Sequence, residues 1–295
     1  MRFVQFHVPD QGKRLGLIDG PTVTDITCGQ CATVLDVVRL AAEGDCEMDE
    51  VVGECSRGAE FNYEELDIAP TGDKPHLLLP IDAPEVWGCG VTYLRSASMR
   101  DVDSEQDIYS KVYNSDRPEV FFKATPSRCV GPNGDFGMRQ DSDLTATEPE
   151  LAIVLGRPDQ ILGYSVCNDV SAWDIERENP LYLPQSKTFE GCCALGPCVA
   201  TNSAVSDPTQ LEIDCTISRG GESIYEGEAN SSQIKFSLEQ LVEFLTRNNP
   251  IPVGTVLSTG TGIMVPNEFA HQPGDLVEIT IENIGTLRNG ARHLS

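Results

Sequence analysis

Thr147-Glu148-Pro149-Glu150-Leu151-Ala152-Ile153-Val154-Leu155 sets two carboxylates immediately ahead of a wholly apolar run. Pro149 disfavours the helical region for the residue before it, so Glu148 is pushed toward extended backbone. In an extended chain, residues two apart point to the same side, which places Glu148 and Glu150 on one face. Carboxylates held together repel unless a cation lies between them, and the apolar residues that follow put this pair at the rim of a core. Taken alone, the two glutamates also fit a solvated strand edge.

Downstream, Gly163-Tyr164-Ser165-Val166-Cys167-Asn168-Asp169-Val170-Ser171 reads as an apolar strand ending in a polar pair. If it pairs with 151–155, Asp169 approaches both glutamates. Three carboxylates make a hard oxygen site, suited to Mg²⁺ or Mn²⁺ and not to Zn²⁺. Lysine is scarce (Lys13, Lys74, Lys111, Lys123, Lys187 and Lys235). That makes Lys187, set between turn-forming residues and Ala194-Leu195-Gly196-Pro197, a candidate site residue and not only a surface charge.

The 295 residues suffice for one large domain or a small and a large one, and the apolar content of 40% suits a globular protein. No apolar run approaches the ~20 residues that span a bilayer. The N-terminal stretch alternates like a strand and has no signal-peptide core, so the protein is expected to be cytoplasmic. A net charge of -25 opposes nucleic acid and anionic membranes. It also suits a halophile, where molar salt shortens the Debye length to ~3 Å. The eleven cysteines are odd in number and are read as reduced thiols. Cys28-Gly29-Gln30-Cys31 is a C-x-x-C with no second pair at zinc-ribbon spacing, and is read as two ordinary thiols in a loop.

Residues 2–8, 14–19 and 22–27 read as short strands, and 33–43 carries apolar residues at helical spacing. Ala69-Pro70-Thr71-Gly72-Asp73 breaks the pattern. These features predict a small α+β N-terminal domain over 1–78 and a larger domain over 79–295. The larger part is mostly strand-like, with runs at 151–155, 161–167, 211–217 and 276–281. Its one clear helix follows the capping box of Ser237 and Gln240. The fold class is α+β, mostly β, with a barrel-like or folded sheet.

The ordered motifs E-x-E, N-D-V-S-A-x-D, the lysine, L-G-P and the turn Thr259-Gly260-Thr261-Gly262 resemble those of the fumarylacetoacetate hydrolase superfamily. The resemblance covers about residues 85–285. It implies a mixed β-sheet rolled into a partial barrel, Glu148, Glu150 and Asp169 as metal ligands, Lys187 in the active site, Thr261 against the substrate carboxylate, and a homodimer or homotetramer. One departure matters. Hydrolases of the superfamily carry G-x-N-Y-x-x-H, whose histidine serves as a base, whereas here Gly90-Val91-Thr92-Tyr93-Leu94-Arg95-Ser96 puts Ser96 at that place. That segment, with Arg117-Pro118-Glu119-Val120-Phe121-Phe122-Lys123, Glu148-Pro149-Glu150-Leu151 and 178–185, resembles the sugar-acid dehydratase branch, which acts on 2-keto-3-deoxy-pentonates. The implied reaction is a Mg²⁺-assisted loss of water from a 2-keto acid, giving 2-oxoglutarate semialdehyde. Glu119 is the candidate acid or base, Lys187 the partner of the keto or enolate oxygen, and Lys123 and Ser96 further substrate-side residues. Acylpyruvate hydrolysis, oxaloacetate decarboxylation, dienoate isomerisation and non-catalytic keto-acid binding are the alternatives.

Overall fold

The computed structural model describes residues 1–104 and 107–295. Two large β-sheets carry the molecule, and Thr145–Ala146 pairs with Ser171–Ala172 as a small two-stranded third. The larger is a mixed sheet of twelve strands and the smaller has five. Strand Pro149–Leu155 is buried at every position, as is nearly all of its antiparallel neighbour Ile161–Asp169. Strands buried on both faces read as continuous apolar runs and not as alternation, which is the pattern of 151–155. Val256–Ser258 lies on the other side of Pro149–Leu155 and pairs in parallel with Val86–Gly90. The latter runs antiparallel to Glu119–Ala124, one edge of the sheet.

On the opposite side, Cys193–Thr201 pairs with Ile161–Asp169 and then, over Arg2–Phe3, with the N-terminal strand Arg2–Val8. The strands Gly12–Asp19, Thr22–Asp25 and Glu60–Asn62 continue the sheet to its other edge. Residues 1–78 thus share a sheet with the rest of the chain. The helix Val34–Gly44 packs its apolar face inward. It starts at a capping box in which Thr33 Oγ1 accepts from Asp36 N–H and the Asp36 carboxylate accepts from Thr33 N–H. Ser237 and Gln240 cap Leu238–Thr246 in the same way. The mostly β, mixed architecture predicted from the sequence is the one observed. Among the described residues no helix is long and apolar enough to cross a membrane.

Candidate active site

Register builds the centre of the site. Glu150 lies opposite Cys167 and Pro149 opposite Asn168, and Asp169 N–H donates to Glu148 O at 3.0 Å. The carboxylates of Glu148, Glu150 and Asp169, all buried, converge so that one oxygen from each lies within 4.8 Å of the others.

Three cations enclose this cluster. Glu148 Oε1 accepts from Arg100 Nη2 at 2.8 Å and from Trp173 Nε1 at 2.7 Å, and lies 3.0 Å from Lys187 Nζ. Burial opposes its charge, but Arg100 and Lys187 outweigh burial and hold the carboxyl well below the usual range. Lys187 Nζ also donates to Asp169 Oδ2 at 2.9 Å and to Ser171 Oγ at 2.7 Å. Burial alone would lower its affinity for a proton; Asp169 and Glu148 reverse the direction and keep it charged. Lys123 is wholly buried, donates to Val170 O at 2.9 Å and Lys187 O at 2.6 Å, and sits 2.5 Å from Asp169 Oδ1. That last contact is a short, buried ion pair.

Glu150 has no such cation beside it. Its Oε2 accepts from Ser258 Oγ at 2.5 Å and from Gly260 N–H at 2.8 Å. Burial, and then Asp169 and Glu148, push its carboxyl up to about 8. Gly260 is required at this spot. Its φ is +94°, and a Cβ there would meet Thr92 Oγ1 at 2.1 Å. The donor set fits a hard divalent ion: three buried carboxylates whose oxygens converge, one of them raised by burial and by the charge of the other two.

A narrow cleft reaches this cluster, and Ser96, Glu119, Lys187 and Thr261 line it together with Glu148 and Asp169. Glu119 opens the strand Glu119–Ala124. Burial, followed by the charge of Glu176, raises its carboxyl. Ser96 lies on the helix Leu94–Ser104, and its Oγ accepts from Arg100 Nε at 3.3 Å. Thr261 Oγ1 exchanges hydrogen bonds with the backbone of Ile263. Every site residue expected from the sequence therefore lies in or against one cleft, with Lys123 behind Asp169.

Arg100, Trp173, Glu176 and Ser258 were not anticipated, and Gly260 was expected only as part of its turn. Glu176 accepts from Arg100 Nη1 at 2.5 Å and from Tyr109 OH at 3.3 Å. Two signals were available: Arg100 is one helical turn from Ser96, and Glu176 stands two residues past the N-D-V-S-A-x-D motif, three from its Trp173. His271, distant in sequence, makes a 2.6 Å hydrogen bond with Thr147 Oγ1 beside Glu148 but does not line the cleft.

Residues 85–292 match the family described as fumarylacetoacetate (FAA) hydrolase, C-terminal. A Haloferax volcanii protein named "Probable 2-keto-3-deoxyxylonate dehydratase" is 44% identical over 280 residues, 94% of each chain. The 2-dehydro-3-deoxy-D-arabinonate dehydratase of Saccharolobus solfataricus is 44% identical over 249 residues, 82% of each. A solved structure of 2-keto-3-deoxy-D-arabinonate dehydratase complexed with magnesium and 2,5-dioxopentanoate superposes with a TM-score of 0.86 at 36% identity, covering 100% of this chain and 99% of that one. By sequence and by fold, this chain belongs to the fumarylacetoacetate hydrolase family.

Proposed function

We propose that this protein is a Mg²⁺-dependent dehydratase that converts a 2-keto-3-deoxy-pentonate, of the arabinonate or xylonate type, into 2-oxoglutarate semialdehyde. The observation that carries the reading is the buried Glu148–Glu150–Asp169 cluster, with the Lys187 ammonium seated on Glu148 and Asp169 at the cleft. The close relatives named as dehydratases of such acids support the choice of substrate. Ser96 in place of the superfamily's basic histidine weighs against carbon–carbon hydrolysis.

Glu148, Glu150 and Asp169 would hold the metal. Bound Mg²⁺ supplies Lewis acidity toward the carboxylate and keto oxygens of the acid, which makes its C3 protons labile. Lys187 donates a hydrogen bond to the keto oxygen as negative charge grows there. A Schiff base at Lys187 would need a neutral amine and would cost the contacts to both Asp169 and Glu148, so a fixed cation is its role. Glu119 takes a C3 proton and returns it to the C4 hydroxyl, which leaves as water. Transfer of a proton from C5 to C3 then turns the unsaturated alcohol into the enol of the C5 aldehyde. Thr261 and Ser96 shape the cleft around the substrate, and Lys123 acts through Asp169 and the Lys187 carbonyl. The protein is a cytoplasmic homodimer or homotetramer in which 1–78 form a small domain against the catalytic 79–295; a monomer by light scattering in high salt would remove the assembly.

The decisive experiment offers the pure protein and Mg²⁺ a panel of 2-keto-3-deoxy-pentonates, acylpyruvates, oxaloacetate and dienoates, with product identification. Aldehyde from the pentonates is the expected result. Turnover of acylpyruvates with none of the deoxy-keto acids would overturn it.

A further inference from the structure

A second convergence of ligand atoms lies among the N-terminal strands. The C-x-x-C loop follows strand Thr22–Asp25, and the short helical turn Val52–Glu54 ends just before Cys55. The sulfurs of Cys28, Cys31 and Cys55 all lie within 4.8 Å of one another, and Cys28 Sγ is 3.1 Å from Cys55 Sγ. Cys31 is buried, while Cys28 and Cys55 are half-buried and reachable from solvent. None of the three forms a disulfide.

The loop closes on itself. Cys28 and Cys31 exchange backbone hydrogen bonds, N–H to O at 3.0 and 3.2 Å. That exchange draws the turn tight, so that its two sulfurs and that of Cys55 converge; the thiolate is the ligand form, and a metal displaces the thiol protons.

We propose that Cys28, Cys31 and Cys55 form a three-thiolate Zn²⁺ site, separate from the carboxylate cluster, with solvent completing the coordination on the exposed side. Sulfur favours a borderline-soft ion such as Zn²⁺ over Mg²⁺, just as the three carboxylates favour the reverse. At Zn–S bonds of about 2.3 Å, tetrahedral ligand sulfurs stand about 3.8 Å apart. The observed spacing therefore needs only a sub-ångström opening between Cys28 and Cys55. Binding releases the thiol protons and joins the loop after one strand to the segment after Val52–Glu54, locking both around the start of helix Val34–Gly44.

The test uses the full chain, reduced and stripped of metal, with the carboxylate site saturated by Mg²⁺. Co²⁺ should bind one per chain with a near-ultraviolet sulfur-to-cobalt charge-transfer band that carboxylates cannot produce, and Zn²⁺ should bleach it. Cys28→Ser and Cys55→Ser should weaken Co²⁺ binding at least about tenfold. In the unaltered protein, Zn²⁺ should protect Cys28 and Cys55 from alkylation while leaving half-buried Cys46 as reactive as before, a readout that needs no variant to fold. No charge-transfer band in the reduced protein, a band of full strength in both serine variants, or equal protection of Cys46 would each overturn the site. So would a Cys28–Cys55 disulfide in the protein as prepared with no Co²⁺ uptake after reduction. These readouts do not depend on turnover, so failure of the dehydratase reading would leave them unaffected.

Discussion

The carboxylate cluster and the thiol cluster each bring three ligand atoms within 4.8 Å, yet the protein surrounds them differently. Around Glu148 and Asp169 stand Arg100, Lys123 and Lys187, all within ion-pair distance and nearly all shielded from water. Around the thiols no ion-pairing cation is seen among the described residues, and two of the three cysteines are only half-buried. Ordinary proton affinities account for the contrast. A carboxyl, near pKa 4, is an anion at neutral pH whether or not a metal is present, whereas a thiol, near 8.5, takes up a proton when the metal leaves. Without metal, a buried carboxylate must carry permanent counter-charge, as Glu148 and Asp169 do, or take up a proton, as Glu150 does; thiols provide their own neutrality. The first site therefore has to be built in the middle of a sheet with a cage of cations, and the second can sit on loops.

Removing a carboxylate ligand should have the largest consequence. Glu148→Gln and Asp169→Asn should each lower Mg²⁺ affinity and turnover by more than about a hundredfold, beyond the loss typical of outer-shell partners, with the fold retained by circular dichroism. Lys187→Ala should separate the two quantities, keeping Mg²⁺ while losing turnover. Wild-type metal titrations and activity in the carboxylate variants would dissolve the distinction between the two clusters.

The cation cage is tested next. Lys123→Met removes one side of a buried pair and should destabilise the metal-free protein by about 3–5 kcal/mol, read by denaturant unfolding. A loss below about 1 kcal/mol would mean that Asp169 needs no permanent counter-charge. Glu150, the one ligand without an adjacent cation, predicts a pH dependence of definite sign. Its folded-state carboxyl is raised to about 8 from an ordinary value of about 4.3. The folded, metal-free protein therefore binds more protons than the unfolded chain between those values. Its stability should fall as pH rises through that window, while Mg²⁺ affinity rises over the same range because metal and proton compete. Glu150→Gln should flatten the stability slope; a metal-free protein that gains stability between pH 5 and 8 would contradict this.

Much of the carboxylate site was legible because its information is local. Glu148-Pro149-Glu150 fixes a shared face through backbone geometry alone, and an apolar run long enough to be a central strand leaves few partners for Ile161–Asp169. The capping boxes at Thr33 and Ser237 are legible for the same reason. Arg100, Trp173 and Ser258 were not: each stands beside or within a quoted motif, but its bond to a carboxylate spans 48, 25 or 108 residues and is set by tertiary packing. Lys123 shows a subtler limit: its motif suggested the substrate side, while its depth and its bonds to Val170 O and Lys187 O are set by packing. Cys28-x-x-Cys31 looked like an ordinary loop because its third sulfur, Cys55, arrives through the fold of an acidic stretch with little pattern of its own.

The smallest effect comes from the helix that begins beside the thiols. Thr33→Ala removes the cap of Val34–Gly44 and should cost about 1 kcal/mol in a thermal or denaturant scan, with Mg²⁺ affinity unchanged. A shift in Mg²⁺ affinity would show that the two clusters are mechanically joined.

The pairing of Arg2 and Phe3 with Ala200 and Val199 bears on the order in which the protein is made. Gly12–Asp19 can cover one edge of the first strand almost at once, and His76–Leu77 covers Phe6 and His7 on the other edge soon after. Arg2 and Phe3 must wait for more than a hundred further residues. At ribosomal speeds that is on the order of ten seconds with an unsatisfied strand edge. An open edge of this kind is a template for pairing with another chain, so crowded synthesis, and not the finished enzyme, is where this fold is most exposed to misassembly.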